Sequence, residues 1–95
     1  MDDIIHLNVG GIQYVTTKTT LCRPGSLFEC MFRGQMKPGL LINGAYFIDR
    51  NGPMFAHILD YLRNLDQWVC PSDIDILRQL VNEAKFYCLQ DMLKK

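Results

Sequence analysis

Long apolar runs are missing from this 95-residue chain, and none approaches the ~20 residues that a transmembrane helix needs. The opening Met-Asp-Asp lacks the basic and then apolar start of a secretion signal. Ten basic residues balance ten acidic ones, so no net charge exists to attract a nucleic acid or an anionic membrane surface. We therefore expect a soluble intracellular protein that binds no nucleic acid and makes no direct membrane contact.

Patterns typical of metal sites and of catalysis are also missing. The four cysteines are widely spaced and form no CxxC pair: Cys22, Cys30, Cys70 and Cys88. This spacing favours reduced thiols over a disulfide or a metal site. No recognisable nucleophile signature accompanies His6 or His57. The segment Asn8 to Gly11 lacks the lysine and third glycine of a phosphate-binding loop. We expect no enzymatic activity, no cofactor and no bound metal.

What the chain does contain is enough apolar material for one core. Hydrophobic residues make up 48% of the sequence, and their pattern continues without a linker, repeat or low-complexity tract. The prediction is a single domain over residues 1–95. Because a domain of this size buries a comparatively small share of its surface, it gains stability from oligomerisation.

The amino-terminal third predicts a hairpin followed by a short helix. Ile4 to Val9 and Ile12 to Thr17 have the composition of two strands, and Gly10-Gly11 between them is free to adopt the positive φ angles of a tight turn. Ser26 and Glu29 form an S-x-x-E capping box, which predicts a helix from Leu27 to about Phe32.

The remaining two thirds predict a loop, a strand and two longer helices. Gly34 to Gly44 has little periodicity and predicts a surface loop, and Ala45 to Asp49 predicts a short strand. One helix begins at Asn51-Gly52-Pro53 and runs to about Asn64. Ser72 is predicted to cap the other helix, which continues to about residue 86 before a shorter terminal segment.

Helical phase separates core positions from apolar residues that the core does not explain. The predicted core stripes are Phe55, Ile58, Leu59 and Leu62 in the first long helix, and Leu77, Leu80, Val81, Ala84 and Cys88 in the second. Phe86 lies opposite the second stripe, so its ring contacts either a partner or the terminal segment. Val15 and Ala56 are likewise predicted to be exposed, as partner contacts or as ordinary surface residues.

Two charged residues and two asparagines lie at predicted junctions. Asp49 and Arg50 follow the short strand, where they form either an ion pair or cap within the subunit, or a polar contact with a neighbouring subunit. Asn8 and Asn51 lie beside glycines or within a helix start, as turn residues commonly do. As a hypothesis, these four residues belong to an oligomer interface.

Four sequence segments in fixed order, with two shorter segments between them, resemble those of one family. They are Leu7 to Gly11, Thr19-Thr20-Leu21, Met31-Phe32-x-Gly34-x-Met36, Tyr46 to Arg50, Phe55 to Arg63 and Glu83 to Tyr87. The set resembles the potassium-channel-tetramerisation type of BTB/POZ domain, and is most similar to the soluble potassium-channel-tetramerisation-domain-containing proteins. This resemblance implies a short α/β fold, in which an amino-terminal β-hairpin and a third short strand pack with four to five helices. It also implies self-assembly into closed rings, as tetramers or pentamers.

The resemblance further implies recruitment of other proteins. The soluble branch is similar to adaptors that join a substrate to a cullin-based ubiquitin ligase, in the cytoplasm and also in the nucleus. On that basis the expected cullin contacts are Val15, Phe32, Arg33, Met36, Ala56 and Phe86. The alternative is the cytoplasmic tetramerisation domain of a voltage-gated potassium channel.

Overall fold

Four strands and five α-helices follow one another in residues 3–32 and 41–94, the part of the chain that this computed structural model describes. The strands are β1 (Ile4–Val9), β2 (Ile12–Thr17), β3 (Leu41–Ile42) and β4 (Ala45–Ile48). The helices are α1 (Lys18–Leu21), α2 (Leu27–Phe32), α3 (Gly52–Asn64), α4 (Ile74–Phe86) and α5 (Gln90–Leu93). One turn of 3-10 helix, Leu65–Gln67, follows α3.

The predicted hairpin is confirmed. β1 and β2 pair antiparallel over all six residues, and the turn between them has positive φ at both Gly10 (57°) and Gly11 (101°). The Asn8 side chain stabilises this turn, because its Oδ1 accepts a 2.8 Å hydrogen bond from the Gly11 amide. A Cβ atom at Gly10 would collide with the carbonyl oxygen of Arg50, so the turn packs closely against the segment after β4.

The sheet is mixed, with the strand order β2-β1-β4-β3. β1 pairs antiparallel with β2 and parallel with β4, whereas β3 pairs antiparallel with β4. The α/β class and the short BTB-like arrangement of hairpin, further strand and helices are therefore as predicted.

β3 was not predicted, because it lies within the segment Gly34 to Gly44 that was expected to be a loop. That expectation is wrong at residues 41–42, and residues 33–40 lie outside the described part of the chain. The two residues between β3 and β4, Asn43 (φ 53°) and Gly44 (φ 80°), adopt the left-handed conformation of a two-residue hairpin turn. An Asn-Gly pair is a strong hairpin signal, and it brings two residues back against β4.

The core lies between one face of the sheet and the helices. Alternate residues of β1 point into it, and α3 contributes a fully buried Phe55 ring that meets three other aromatic rings. Its centroid lies 5.1 Å from Tyr14, 6.2 Å from Phe28 and 5.3 Å from Tyr87, in edge-to-face geometry. Phe28 and Tyr87 stack at 5.5 Å with an interplanar angle of 11°. This aromatic cluster joins β2, α2, α3 and the end of α4.

Capping confirms where α2 and α3 begin. The Ser26 hydroxyl accepts from the Glu29 amide at 3.2 Å, and the Glu29 carboxylate accepts from the Gly25 amide at 3.0 Å. The carboxylate therefore bonds one residue earlier than a standard capping box. α3 starts one residue after Asn51, whose Oδ1 accepts from the Met54 amide at 3.0 Å.

The predicted cap of α4 is wrong by one residue. Asp73, rather than Ser72, precedes the first helical residue and accepts from the amides of Asp75 (2.8 Å) and Ile76 (3.2 Å). A carboxylate caps amides as well as a hydroxyl does, and its charge also interacts favourably with the positive end of the helix dipole. Asp73 therefore caps α4 in place of Ser72.

The predicted core stripe holds for α3 and fails in part for α4. All four predicted residues of α3 are buried, as are Leu80 and Ala84 of α4. Val81, however, is exposed beside a surface hollow of about 70 Å³ between α4 and α5. Cys88 is also exposed, because it follows the end of α4 with φ 58° and the helical phase no longer applies there.

Within the described ranges, no helix has both the length and the apolar character that a membrane crossing demands.

Candidate protein-interaction surface

Arg50 and Glu83 form a bidentate ion pair between the end of β4 and α4. Arg50 Nε donates to Glu83 Oε1 at 3.1 Å, and Arg50 Nη2 donates to Glu83 Oε2 at 2.8 Å. Only 8% of the Glu83 side chain is exposed, so the Arg50 guanidinium supplies the hydrogen bonds that water would otherwise give to this carboxylate. For the guanidinium group, the structure supplies the first of the two predicted alternatives, an ion pair within the subunit.

Phe86 lies beside this ion pair, at the last residue of α4. Its side chain is 40% exposed, as helical phase predicted. The guanidinium carbon of Arg50 lies 4.4 Å from the centroid of the Phe86 ring, and the Tyr87 ring meets it edge-on at 5.0 Å. Phe86 thus contacts Arg50 and Tyr87 within its own chain and still presents apolar surface to solvent. A partner contact at this ring stays a prediction.

Tyr87, the residue after α4, packs in the core next to Phe86. The residue is fully buried, and its hydroxyl has no hydrogen-bond partner among the described residues. Burial raises the pKa of Tyr87, and the nearby Glu83 carboxylate raises it further, because both oppose formation of a phenolate. The exposed ring of Phe86 is therefore adjacent to a fully buried ring.

Val15 of β2 and Ala56 of α3 are both exposed. Val15 is 51% exposed and lies opposite His6 of β1, on the face of the hairpin that points away from the core. Arg63 of α3 donates to the Val15 carbonyl at 3.0 Å and so ties the edge strand to the helix that carries Ala56. The predicted exposure of both residues is confirmed.

The four residues predicted at an oligomer interface lie at one end of the sheet, around the ends of β1 and β4 and the start of α3: Asn8, Asp49, Arg50 and Asn51. A 2.9 Å hydrogen bond from the Gly10 amide to the Ile48 carbonyl holds the hairpin turn against the end of β4. Asn8 and Asn51 also have the local turn and capping roles described above. Their contact with another subunit stays a prediction.

Phe32 lies elsewhere. Its half-buried ring packs edge-on against Tyr46 at 5.6 Å, and Lys18 Nζ lies 5.8 Å from its centroid. The backbone amide of Lys18 donates to the Asp3 carbonyl at 2.9 Å, at the end of the sheet where β1 begins, whereas Arg50 lies where β1 ends. The structure therefore does not bring Phe32 together with Phe86. Arg33 and Met36 lie outside the described residues.

The cysteines and the other side chains that could bind a metal form no cluster in the described residues. All four cysteines are free thiols, and Cys70 and Cys88 are exposed. Among residues 3–32 and 41–94, no group of three histidine, cysteine or acidic side chains is placed to hold a metal ion. The arrangement suits contact with another protein through an exposed aromatic ring beside charged and amide side chains.

Sequence reasoning missed Glu83 as the partner of Arg50. A signal was present, because Glu83 lies between Leu80 and Ala84 on the core stripe of α4. A carboxylate on a buried stripe requires a cation nearby. Nothing local identified Arg50 as that cation, since 33 positions separate the two residues.

Comparison with known proteins matches residues 5–95 to the family described as BTB/POZ domain. The chain is 38% identical over 91 residues to the BTB/POZ domain-containing adapter for CUL3-mediated RhoA degradation protein 2 of Xenopus laevis, covering 96% of this chain and 28% of that protein. It is 40% identical over 97 aligned positions to the BTB/POZ domain-containing protein KCTD21 of Homo sapiens, covering 99% and 36%. It is 37% identical over 92 residues to the potassium channel regulatory protein of Bos taurus, covering 96% and 34%. The chain thus spans 28–36% of the length of these curated relatives.

Proposed function

Because this chain belongs to the potassium-channel-tetramerisation type of the BTB/POZ domain family, we propose that it assembles with copies of itself and recruits other proteins without catalysing a reaction. The proposed partner is a cullin scaffold, and the proposed location is the cytoplasm and also the nucleus. The scaffold and a substrate would be brought together by this assembly, while other subunits transfer ubiquitin.

The proposed assembly is a closed ring of four or five copies. In such a ring each subunit presents one flank to the next, so closure removes both flanks from water. Asn8, Asp49, Arg50 and Asn51 are proposed to lie at the subunit boundary, because the fold gathers them at one end of the sheet. Repeated binding sites around a ring would also raise the apparent affinity for a partner that engages several subunits.

The proposal of cullin binding depends mainly on the exposed Phe86 ring. An aromatic side chain fixed at the end of a packed helix is typical of the residues that dominate protein interfaces. The Xenopus relative is named as an adapter for CUL3-mediated degradation, which supports a cullin as the partner. The remaining proposed contacts are Val15 and Ala56, Phe32, which lies apart from Phe86, and Arg33 and Met36, which lie outside the described residues.

A second candidate function is assembly on a potassium channel. It is favoured by the Bos taurus relative, whose name is potassium channel regulatory protein. In that role the domain would be, or would join, the cytoplasmic tetramerisation domain of a voltage-gated channel.

Light scattering at several protein concentrations tests the assembly. We expect a particle of four or five chains of 11.0 kDa each. A monomer at every concentration would overturn the ring.

A titration with the amino-terminal region of CUL3 tests the adaptor function. Replacing Phe86 by Asp should weaken binding at least about tenfold, because a charge replaces an apolar contact. Val69→Asp is the matched control, since Val69 is 83% exposed and belongs to no proposed contact. Circular dichroism melts of both variants check folding. Equal affinity of wild type and Phe86→Asp would contradict the proposed surface. Binding to a channel tetramerisation domain, with none to CUL3, would favour the second candidate.

A further inference from the structure

Phe86 is held in place by a residue that was assigned to a different surface. Arg50 was predicted at the subunit boundary, yet its guanidinium carbon lies 4.4 Å from the centroid of the Phe86 ring. The same guanidinium donates to both carboxylate oxygens of Glu83, at 3.1 and 2.8 Å. Glu83 lies three residues before Phe86 on α4, and its side chain is buried.

These contacts connect the buried Glu83 side chain, through Arg50, to the exposed Phe86 ring. Glu83 is fixed by its burial in α4, and two hydrogen bonds fix the plane of the Arg50 guanidinium. The guanidinium group lies over the Phe86 ring. The Tyr87 ring packs edge-on against the Phe86 ring, with 5.0 Å between the two centroids. The ring at the end of α4 is therefore restrained by groups that are themselves restrained.

We propose that Arg50 is a positioning residue for partner binding, because it holds the exposed Phe86 ring in the orientation that the partner contacts. This inference rests on the proposed adaptor function. Arg50 acts through Phe86 and Glu83 serves as its anchor, so loss of either support releases the ring. Ordering a mobile side chain on binding reduces affinity by roughly two- to tenfold, and prior restraint avoids that cost.

Arginine suits this position better than lysine. A guanidinium group is planar, so it can donate two parallel hydrogen bonds to a carboxylate while one side packs on an aromatic ring. Lysine keeps the positive charge near Glu83 but has no plane to set the ring angle. Arg50→Lys therefore separates positioning from charge.

The experiment is a double-mutant cycle on the full chain, with affinity for the amino-terminal region of CUL3 and the melting temperature measured for every variant. The cycle comprises wild type, Arg50→Lys, Phe86→Ala and the double variant. Arg78→Lys is the matched control, because Arg78 is an exposed arginine on α4 outside the ion pair. Glu83→Gln is a second test of the anchor, since it keeps the shape of the side chain and removes its charge.

We expect Arg50→Lys to weaken binding about three- to tenfold in the wild-type background and to have no further effect once Phe86 is Ala. Glu83→Gln should weaken binding in the same direction, and Arg78→Lys should leave it unchanged. A merely structural role predicts instead that Arg50→Lys lowers the affinity equally in both backgrounds. Equal losses, or full affinity of Arg50→Lys, would overturn the positioning role.

Nuclear magnetic resonance of chains with labelled phenylalanine reports the ring directly. We expect the Phe86 ring resonances to shift and to show greater motion in Arg50→Lys but not in Arg78→Lys, and unchanged resonances in both would overturn the inference. Failure of the proposed function has a different signature. In that case the wild-type chain does not bind CUL3, or Phe86→Ala binds as well as wild type, whichever residue stands at position 50.

Discussion

Helices α3 and α4 each contain 13 residues, yet they bury different amounts of their surface. α3 buries six residues, and all of them are uncharged: Gly52, Phe55, Ile58, Leu59, Tyr61 and Leu62. α4 buries three, and one of these is the carboxylate residue Glu83. Three large apolar residues of α4 remain exposed: Ile74, Val81 and Phe86.

The difference follows from what surrounds each helix. α3 packs against β1, α1 and α4, so residues on its apolar stripe are covered by the rest of the domain. α4 packs mainly against α3 and the short α5, and Arg50 also contacts it at Glu83. α3 therefore contributes more buried apolar side chains to the core than α4, whereas α4 keeps three large apolar side chains exposed.

The largest predicted effect tests the α3 side of this comparison. Phe55→Ala should lower the free energy of unfolding by about 3–5 kcal/mol, because it removes a fully buried ring from a four-ring cluster. Chemical denaturation measures the change. Val81→Ala on α4 is the control, with an expected loss under about 1 kcal/mol because its side chain is exposed. Similar losses for both variants would show that the two helices do not differ in this way.

A smaller loss is predicted where α4 has its buried charge. Arg50→Met should reduce the free energy of unfolding by about 2–3 kcal/mol, because the buried Glu83 carboxylate is left without its ion-pair partner. The expected loss is below that of a wholly buried pair, since the Arg50 side chain is 31% exposed. Arg78→Met, on the exposed side of α4, should change it by less than about 0.5 kcal/mol. Denaturation curves in which both variants behave alike would contradict a stabilising role for the ion pair.

Local chemistry was sufficient to predict α3 and the hairpin. The turn Gly10-Gly11 permits positive φ, Pro53 suits the start of a helix, and the α3 stripe repeats regularly. Each of these signals acts within a few residues of the element that it specifies. The observed bounds of β1, β2 and α2 therefore equal the predicted ones, and those of β4 and α3 agree within one residue at each end.

The α4 side was harder to predict because its features depend on distant parts of the chain. Whether Val81 is buried depends on how closely α5 packs, and the periodicity of α4 contains no information about that. The Arg50–Glu83 pair joins residues 33 positions apart. Phe86 was correctly predicted as exposed, since helical phase is local, but its contact with Arg50 was not predicted.

The smallest predicted effect concerns Tyr87, the residue through which the end of α4 meets the ring of Phe55. Tyr87→Phe should leave the free energy of unfolding unchanged or raise it by up to about 1 kcal/mol, because the hydroxyl is buried without a partner among the described residues while the ring contacts remain. Tyr14→Phe is the matched control and should lower it by about 1 kcal/mol, since the Tyr14 hydroxyl donates to the Gly52 carbonyl at 2.6 Å.

The stability of Tyr87→Phe can also be compared with that of wild type at alkaline pH. Burial raises the pKa of Tyr87 above its ordinary value of 10.0, so above pH 10 the folded chain keeps a proton that the unfolded chain releases. Stability is therefore fully present below pH 10 and falls as the pH rises beyond it. Denaturation at pH 8 and pH 11 should show a smaller alkaline loss for Tyr87→Phe than for wild type. If Tyr87→Phe destabilises the domain at pH 8 as much as Tyr14→Phe does, its hydroxyl must have a partner, and α4 would be tied to the core by a polar contact as well as by aromatic packing.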